Sequence, residues 1–162
     1  MNSEKFMPQA EKNIIFPSLR PASATDIPSL LDIENERFSS DKIIGKQFRR
    51  YLKKESIRII VAEYENLITG YAILFLRKGG KSARLYSIAS RSHNLIKGSG
   101  SCLLQEIIII SKAAGAKRLI LELRADNQHA LNFYKKAGFR EFGYYHHYYE
   151  DDQDALRMEK SI

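Results

Sequence analysis

Three stretches decide the fold: Ala83-Arg84-Leu85-Tyr86-Ser87-Ile88-Ala89-Ser90, then Lys97-Gly98-Ser99-Gly100, then Arg118-Leu119-Ile120-Leu121-Glu122-Leu123-Arg124. The first reads as a strand, with Leu85, Ile88 and Ala89 apolar. A polar loop, Arg91 to Gly100, follows it. Between the second and third stretches lies Ser99 to Ala114, which contains the run Ile107 to Ile110. β-branched residues are mediocre helix formers. The segment is nevertheless too long for an ordinary strand and stops at Gly115, a good C-terminal cap, so the pattern predicts a helix buried on most sides. Arg118 to Arg124 alternates as a strand does. Strand, glycine loop, helix and strand make a βαβ crossover, expected to be parallel and right-handed.

On the N-terminal side, residues 1–13 are polar and read as a flexible segment. A strand is expected from Ile14-Ile15-Phe16 to about Pro21. Thr25-Asp26 with Pro28 starts a helix reaching about Phe38. Ser39-Ser40-Asp41 is read as the cap of a second helix, with Ile44, Phe48, Tyr51 and Leu52 on one side and a basic run on the other. Ile57 to Glu63 and Ile68 to Arg77 form a hairpin around Glu65-Asn66, and Gly79-Gly80 turns into the third strand. On the C-terminal side come a helix over Asn127 to Ala137, closed by Gly138, and strands over Phe139 to Tyr145 and Ala155 to Met158. The expected class is α/β, one domain over 14–162, with a mixed sheet and helices on both faces.

The chain has 162 residues, 44% of them hydrophobic and 28% charged, which is the composition of a globular domain with a sizeable core. One cysteine excludes a disulfide framework and a cysteine-built metal site, and points to a reducing, cytoplasmic setting. No stretch is apolar for long enough to span a membrane, and Met1 to Lys12 lacks a signal-peptide core. The net charge is +7, and its placement says more than its sum. Asn66 to Gln105 contains no acid, yet holds Arg77, Lys78, Lys81, Arg84, Arg91 and Lys97. Lys42 to Arg58 adds a second basic run, and Glu141 to Glu159 is acidic. A basic middle is expected to meet something anionic, or to be solvated surface.

A helix N-terminus presents unpaired amides and a partial positive charge, and glycines let a ligand come close. Gly98-Ser99-Gly100 with Lys97 therefore reads as a phosphate cradle or, more blandly, as a turn before a helix. The loop matches neither the GxxxxGK[ST] nor the GxGxxG pattern, which disfavours ATP hydrolysis and dinucleotide redox chemistry. Glu122 sits mid-strand, either salt-linked to Arg124 on the same face or acting as a general base. Tyr134 shares an apolar helix face with Ala130, Leu131 and Ala137; it is a packed core tyrosine or one whose hydroxyl meets a partner. Asn127 is a simple cap or a ligand contact.

The run Leu121-Glu122-Leu123-Arg124-Ala125-Asp126-Asn127, continued by Ala130-Leu131-Asn132-Phe133-Tyr134-Lys135-Lys136-Ala137-Gly138-Phe139, resembles the GNAT superfamily of acetyl-CoA-dependent N-acetyltransferases. Tyr148-Tyr149 and Asp154-Ala155-Leu156-Arg157-Met158 resemble its ribosomal-protein alanine N-acetyltransferase group. The resemblance implies that 14–162 is one N-acetyltransferase domain using acetyl-CoA as co-substrate and no metal. The backbone of Ile88, Ala89 and Ser90 would pair with the pantetheine arm. Ile96, Lys97, Gly98, Ser99, Gly100 and Ser101 would hold the pyrophosphate, and Asn127 would hydrogen-bond the cofactor. Glu122 would take the amine proton, directly or through water, and Tyr134 would protonate the leaving thiolate. The loop departs from the usual Gln/Arg-x-x-Gly-x-Gly/Ala at its first position, Leu95, which Ile96 follows.

The acceptor implied is a protein N-terminal α-amine, with a ribosomal protein as one such partner; a lysine or small amine are the alternatives. Competing classes are a basic RNA-binding module and a non-catalytic acetyl-CoA-binding relative. Outside the ribosomal context no nucleic-acid partner is expected, nor any membrane. Tyr144 to Tyr149 is read as a peptide-gripping loop or an aromatic hairpin over the sheet edge. Adjacent strand positions such as His146 and His147 face opposite ways, which argues against a metal there. Cys102 is expected to pack in its helix.

Overall fold

The computed structural model describes residues 15–92 and 96–162. The expected N-terminal segment 1–13 and Leu95 of the glycine loop lie outside them. The strands are β1 (Ser18–Pro21), β2 (Ile57–Tyr64), β3 (Leu67–Phe75), β4 (Ser82–Ser90), β5 (Arg118–Arg124), β6 (Arg140–Tyr145) and β7 (Ala155–Ser161). The helices are α1 (Ile27–Arg37), α2 (Gly45–Leu52), α3 (Ser99–Ala113) and α4 (Gln128–Lys136). The seven strands form one sheet in the order β1-β2-β3-β4-β5-β7-β6. Only β4 and β5 run parallel, across the crossover that contains α3.

Strand alternation divides the core in two. Ile60, Ala62, Ala72, Leu74, Leu85, Leu119, Leu121 and Leu123 face α3 and α4, where they meet Leu103, Ile107 and Tyr134. The intervening Ile59, Val61, Tyr71 and Ile73 face α1 and α2, where they meet Leu30, Ile33, Phe48 and Tyr51. The β-branched run is indeed helical: Ile107 is fully buried and Ile108 nearly so, whereas Ile109 points to solvent. Burial of each such side chain contributes about 1.5–3 kcal/mol, far more than the few tenths lost to helix propensity.

Four boundaries differ from the sequence reading by more than one residue. β1 starts at Ser18, leaving Ile15 and Phe16 exposed, because its partner β2 ends at Tyr64 in a turn with Glu65 and Asn66 at positive φ. α2 starts at Gly45 instead of being capped by Ser39-Ser40-Asp41; Gln47 Oε1 accepts the Ile44 amide at 3.0 Å. β3 ends at Phe75, before Arg77. β7 runs on to Ser161, because β5 offers it a partner as far as Arg118.

One buried acid ties α1 to the sheet. Glu34 is 2% exposed, accepts the Ile43 amide at 2.9 Å and receives the Tyr71 hydroxyl. Burial raises its pKa to about 7, against the opposing pull of the Ile43 N–H and Lys42. The folded state therefore binds this proton more tightly than the unfolded chain. Its contribution is full below the ordinary carboxylate range and is lost as pH rises through about 7. The melting temperature of the wild type is expected to fall between about pH 5 and pH 8, and Glu34→Gln to remove most of that fall; thermal denaturation at stepped pH measures both.

Candidate active site

The sheet splits at its centre. β4 and β5 pair only from Ser82↔Arg118 to Leu85↔Leu121. Beyond that point β4 keeps its other partner as far as Gly70↔Ser90, and β5 keeps its other partner as far as Arg124↔Ala155. The register of β3 with β4 shifts between Ile73↔Ser87 and Leu74↔Leu85, which makes Tyr86 a bulge. A bulge bends its strand and increases its twist. The edge of Ile88, Ala89 and Ser90 thus turns away from β5 and lines a cleft. Gly70 lets β3 follow: a Cβ there would lie 2.8 Å from Ala89 O and 3.2 Å from Leu103 Cδ1.

The glycine loop closes the top of this cleft. Gly98 adopts φ 94°, a left-handed conformation that costs a side chain about 1–2 kcal/mol. Its carbonyl accepts the Cys102 amide at 2.9 Å, which begins α3 and leaves the amides of Ser99, Gly100 and Ser101 without an intrahelical acceptor. Two buried side chains fix the loop. Ile96 is 3% exposed, and Ser99 Oγ lies 3.2 Å from Thr69 Oγ1 on β3. Lys97 and Gly98 face solvent, and Cys102 is half-buried on α3. Asn127 is the N-cap of α4, its side-chain oxygen accepting the Ala130 amide at 3.0 Å.

Glu122 projects from one face of β5, and Tyr134 packs into the core on the other. The Glu122 side chain is 6% exposed, but its partner is not Arg124. Arg84 on β4 donates from Nε to its Oε2 at 2.9 Å, and Arg157 on β7 places Nε 3.6 Å from its Oε1. Arg124 instead pairs with Asp126 and Asp151. Side chains two apart on one strand are farther from each other than pairs across strands, and β7 sets Arg157 directly opposite Glu122. Tyr134 packs edge-on to Phe133 and Phe139, at 5.1 and 5.5 Å between centroids. Burial raises its pKa well above the usual phenol value. Its hydroxyl has no hydrogen-bond partner among the described residues.

The tyrosines between β6 and β7 join this cluster. Tyr148 Oη accepts from Arg84 Nη2 at 3.0 Å. The Tyr149 ring lies under the Arg124 guanidinium at 5.1 Å. Its pKa is pushed up to about 12, chiefly by burial, then by Tyr148, with Arg124 opposing and Glu122 and Asp41 adding to it. The Glu150 amide reaches Asp41 Oδ1 at 3.4 Å, so the α1–α2 and β6–β7 connections meet as a rim. His146 and His147 are turn residues fixed by Asp154, at 3.3 and 3.0 Å. Among the described residues no three His, Cys, Asp or Glu side chains are grouped to hold a metal.

A model of the acetyltransferase (GNAT) family matches residues 27–139. The chain belongs to the GNAT acetyltransferase family. It is 30% identical over 151 residues to the N-alpha-acetyltransferase of Sulfurisphaera tokodaii, covering 86% of this chain and 90% of that one. Among solved structures, the ribosomal-protein-S18-alanine N-acetyltransferase of Escherichia coli superposes with a TM-score of 0.79 at 26% identity, over 90% of this chain and 93% of the other. The PaiA N-acetyltransferase of Thermoplasma acidophilum, solved in complex with coenzyme A, shares the fold with a TM-score of 0.77 at 18% identity, over 91% of this chain and the whole of the other.

In this GNAT domain, Gly100 of the glycine loop approaches the Phe133 ring of α4, and Glu122 lies on β5 one residue beyond its last pairing with β4. Sequence reasoning missed the residues that hold Glu122. Arg84 and Arg157 share no local motif with it and become its neighbours only through strand order. Tyr86 was passed over because a bulge leaves no mark in an alternating run. The cap of α4 is separable from any ligand role. Asn127→Ala is expected to lower stability by about 1 kcal/mol and Asn127→Asp to retain it, read by urea denaturation.

Proposed function

We propose that this chain transfers an acetyl group from acetyl-CoA to the α-amine of a protein N-terminus, with a ribosomal protein as the acceptor class its relatives' names support. The observation that carries the reading is the split between β4 and β5. It leaves an unpaired strand edge, Ile88 to Ser90, beside the open amides of a helix start. An extended amide-bearing arm ending in a diphosphate fits such a surface: the arm pairs with the edge as a strand would, and the diphosphate lies on the amides of Ile96 to Ser101. Lys97 adds a positive charge, and Asn127, once its oxygen has capped α4, retains an amide group to donate.

Acyl transfer then needs an amine that has lost its proton and a donor for the departing sulfur. The acceptor nitrogen forms a bond to the thioester carbonyl carbon, the carbon–sulfur bond breaks, and the sulfur takes a proton. Tyr134 supplies that proton. Burial keeps its hydroxyl protonated across the neutral range, and no other bond engages it among the described residues. Glu122 accepts the amine proton, directly or through a water. The Arg84 and Arg157 guanidiniums beside it disfavour an ammonium there. That setting suits an α-amine, whose reference pKa is about 8, better than a lysine, near about 10.4. The rim of Asp41, Tyr148, Tyr149 and Glu150 is where a peptide would enter.

Tyr134→Phe and Glu122→Gln are each expected to lower kcat by about 10²–10⁴ while leaving acetyl-CoA affinity unchanged. Labelled acetyl-CoA with a peptide library, free or blocked at the N-terminus, provides the assay. Full turnover in both variants would overturn the site assignment, and modification of blocked, lysine-bearing peptides would overturn the acceptor.

A further inference from the structure

The end of the sheet opposite the glycine loop carries a second concentration of charge. Three chain segments meet there: the connection after α2, the β3–β4 turn and the start of β5. Leu76 N donates to Ser56 O at 2.7 Å, and Lys117 N and Arg118 N both donate to Lys81 O, at 2.7 and 3.2 Å. These backbone bonds gather Lys53, Lys54, Arg77, Lys78, Lys81 and Lys117, all exposed, on one surface. None of the six forms an ion pair among the described residues. The acids at this end do little to offset them. Glu159 is already shared by Arg118 and Arg140, at 2.9 and 2.7 Å. Glu55 remains.

This pole does not serve the proposed cofactor site. β4 runs from Ser82 at the pole to Ser90 at the cleft, a distance of roughly 25 Å at about 3.3 Å per residue. Exposed charges are screened beyond about 8 Å at physiological salt. The pole also has its own relief: one depression of about 320 Å³ is lined by residues 77–82, and another of about 260 Å³ includes Lys53, Lys54 and Arg58.

The chemistry of the surface narrows the partner. Every large exposed apolar side chain among the described residues lies elsewhere. An anionic membrane is held by cations together with apolar anchors, and single-stranded nucleic acid by rings on which bases stack. Neither is present. Cations fixed on strand ends and tight turns suit the regularly spaced phosphates of a duplex. We propose that this pole docks the phosphate backbone of double-stranded RNA. The choice of RNA over DNA rests on the proposed acceptor, because a protein's α-amine first emerges beside ribosomal RNA.

The test uses the full chain and a short labelled RNA duplex, followed by fluorescence anisotropy across a salt series. The wild type is expected to bind, with affinity falling steeply as salt rises and unchanged by saturating coenzyme A. The triple variant Lys78→Glu/Lys81→Glu/Lys117→Glu is expected to bind about tenfold or more weakly, with a log–log salt slope shallower by about three. Its acetylation of a free peptide is expected to match the wild type, and that reaction is measured separately, so failure of the acetyl-transfer reading would be seen there and not in the anisotropy. The proposal is overturned by absence of RNA binding at low salt, by an unaltered triple variant, or by displacement of RNA by coenzyme A. Equal binding of a DNA duplex of the same sequence, or tighter binding of anionic vesicles, overturns it as well.

Discussion

The constraint on which the rest depends is the parting of β4 from β5 above Leu85↔Leu121. Two strands at the centre of a sheet ordinarily satisfy each other along their length, because an unpaired backbone amide buried away from water is costly. Here each strand stays bound to its outer neighbour while the inner edges diverge. The bulge at Tyr86 starts the divergence, Gly70 lets β3 follow the bend, and Ser99 on Thr69 anchors the helix start above the opening. The cleft is thus a product of sheet geometry more than of loop conformation. Its position at the C-terminal ends of the two parallel strands, beside a helix N-terminus, is where α/β folds generally receive anionic ligands.

The charge pattern on the helix-free face of the second half-sheet is equally built by register. Glu122 lies between Arg84 and Arg157, and Glu159 lies between Arg118 and Arg140. Each carboxylate is largely buried under two guanidiniums from neighbouring strands. Removing a single arginine from such a set leaves its partner less well compensated, which costs more than the pair contributes when intact. Arg157 is further held by the rings of Phe142 and Tyr145, at 4.6 and 4.4 Å. The aromatic cluster noted in the sequence therefore has a structural duty in addition to lining the rim.

Much of this was legible in the chain. The βαβ unit could be read because Gly98, Gly115 and the alternating Arg118 to Arg124 punctuate it, and the element order followed. Helix α3 was legible despite its four isoleucines, since length and the stop at Gly115 outweigh propensity. The start of α2 was not: Ser39-Ser40-Asp41 has the composition of a cap, but Glu34 takes the Ile43 amide and pulls the chain into an extended approach first. As candidates, Glu122, Tyr134 and Asn127 were singled out through local spacing. The ion partners of Glu122 were not, because they depend on which strands become neighbours, and sequence proximity pointed to Arg124 instead.

The position of Tyr134 has a consequence for how the resting protein compares with a loaded one. Its ring is buried and held edge-on by Phe133 and Phe139, while its oxygen stays within reach of water. A guest that covers this hydroxyl must offer an acceptor in place of that water, since an O–H buried without one costs on the order of 1–3 kcal/mol. Where the guest does so, one bond replaces another and affinity changes little; where it does not, it is rejected. The packing of α4 thus acts as a filter more than as a grip.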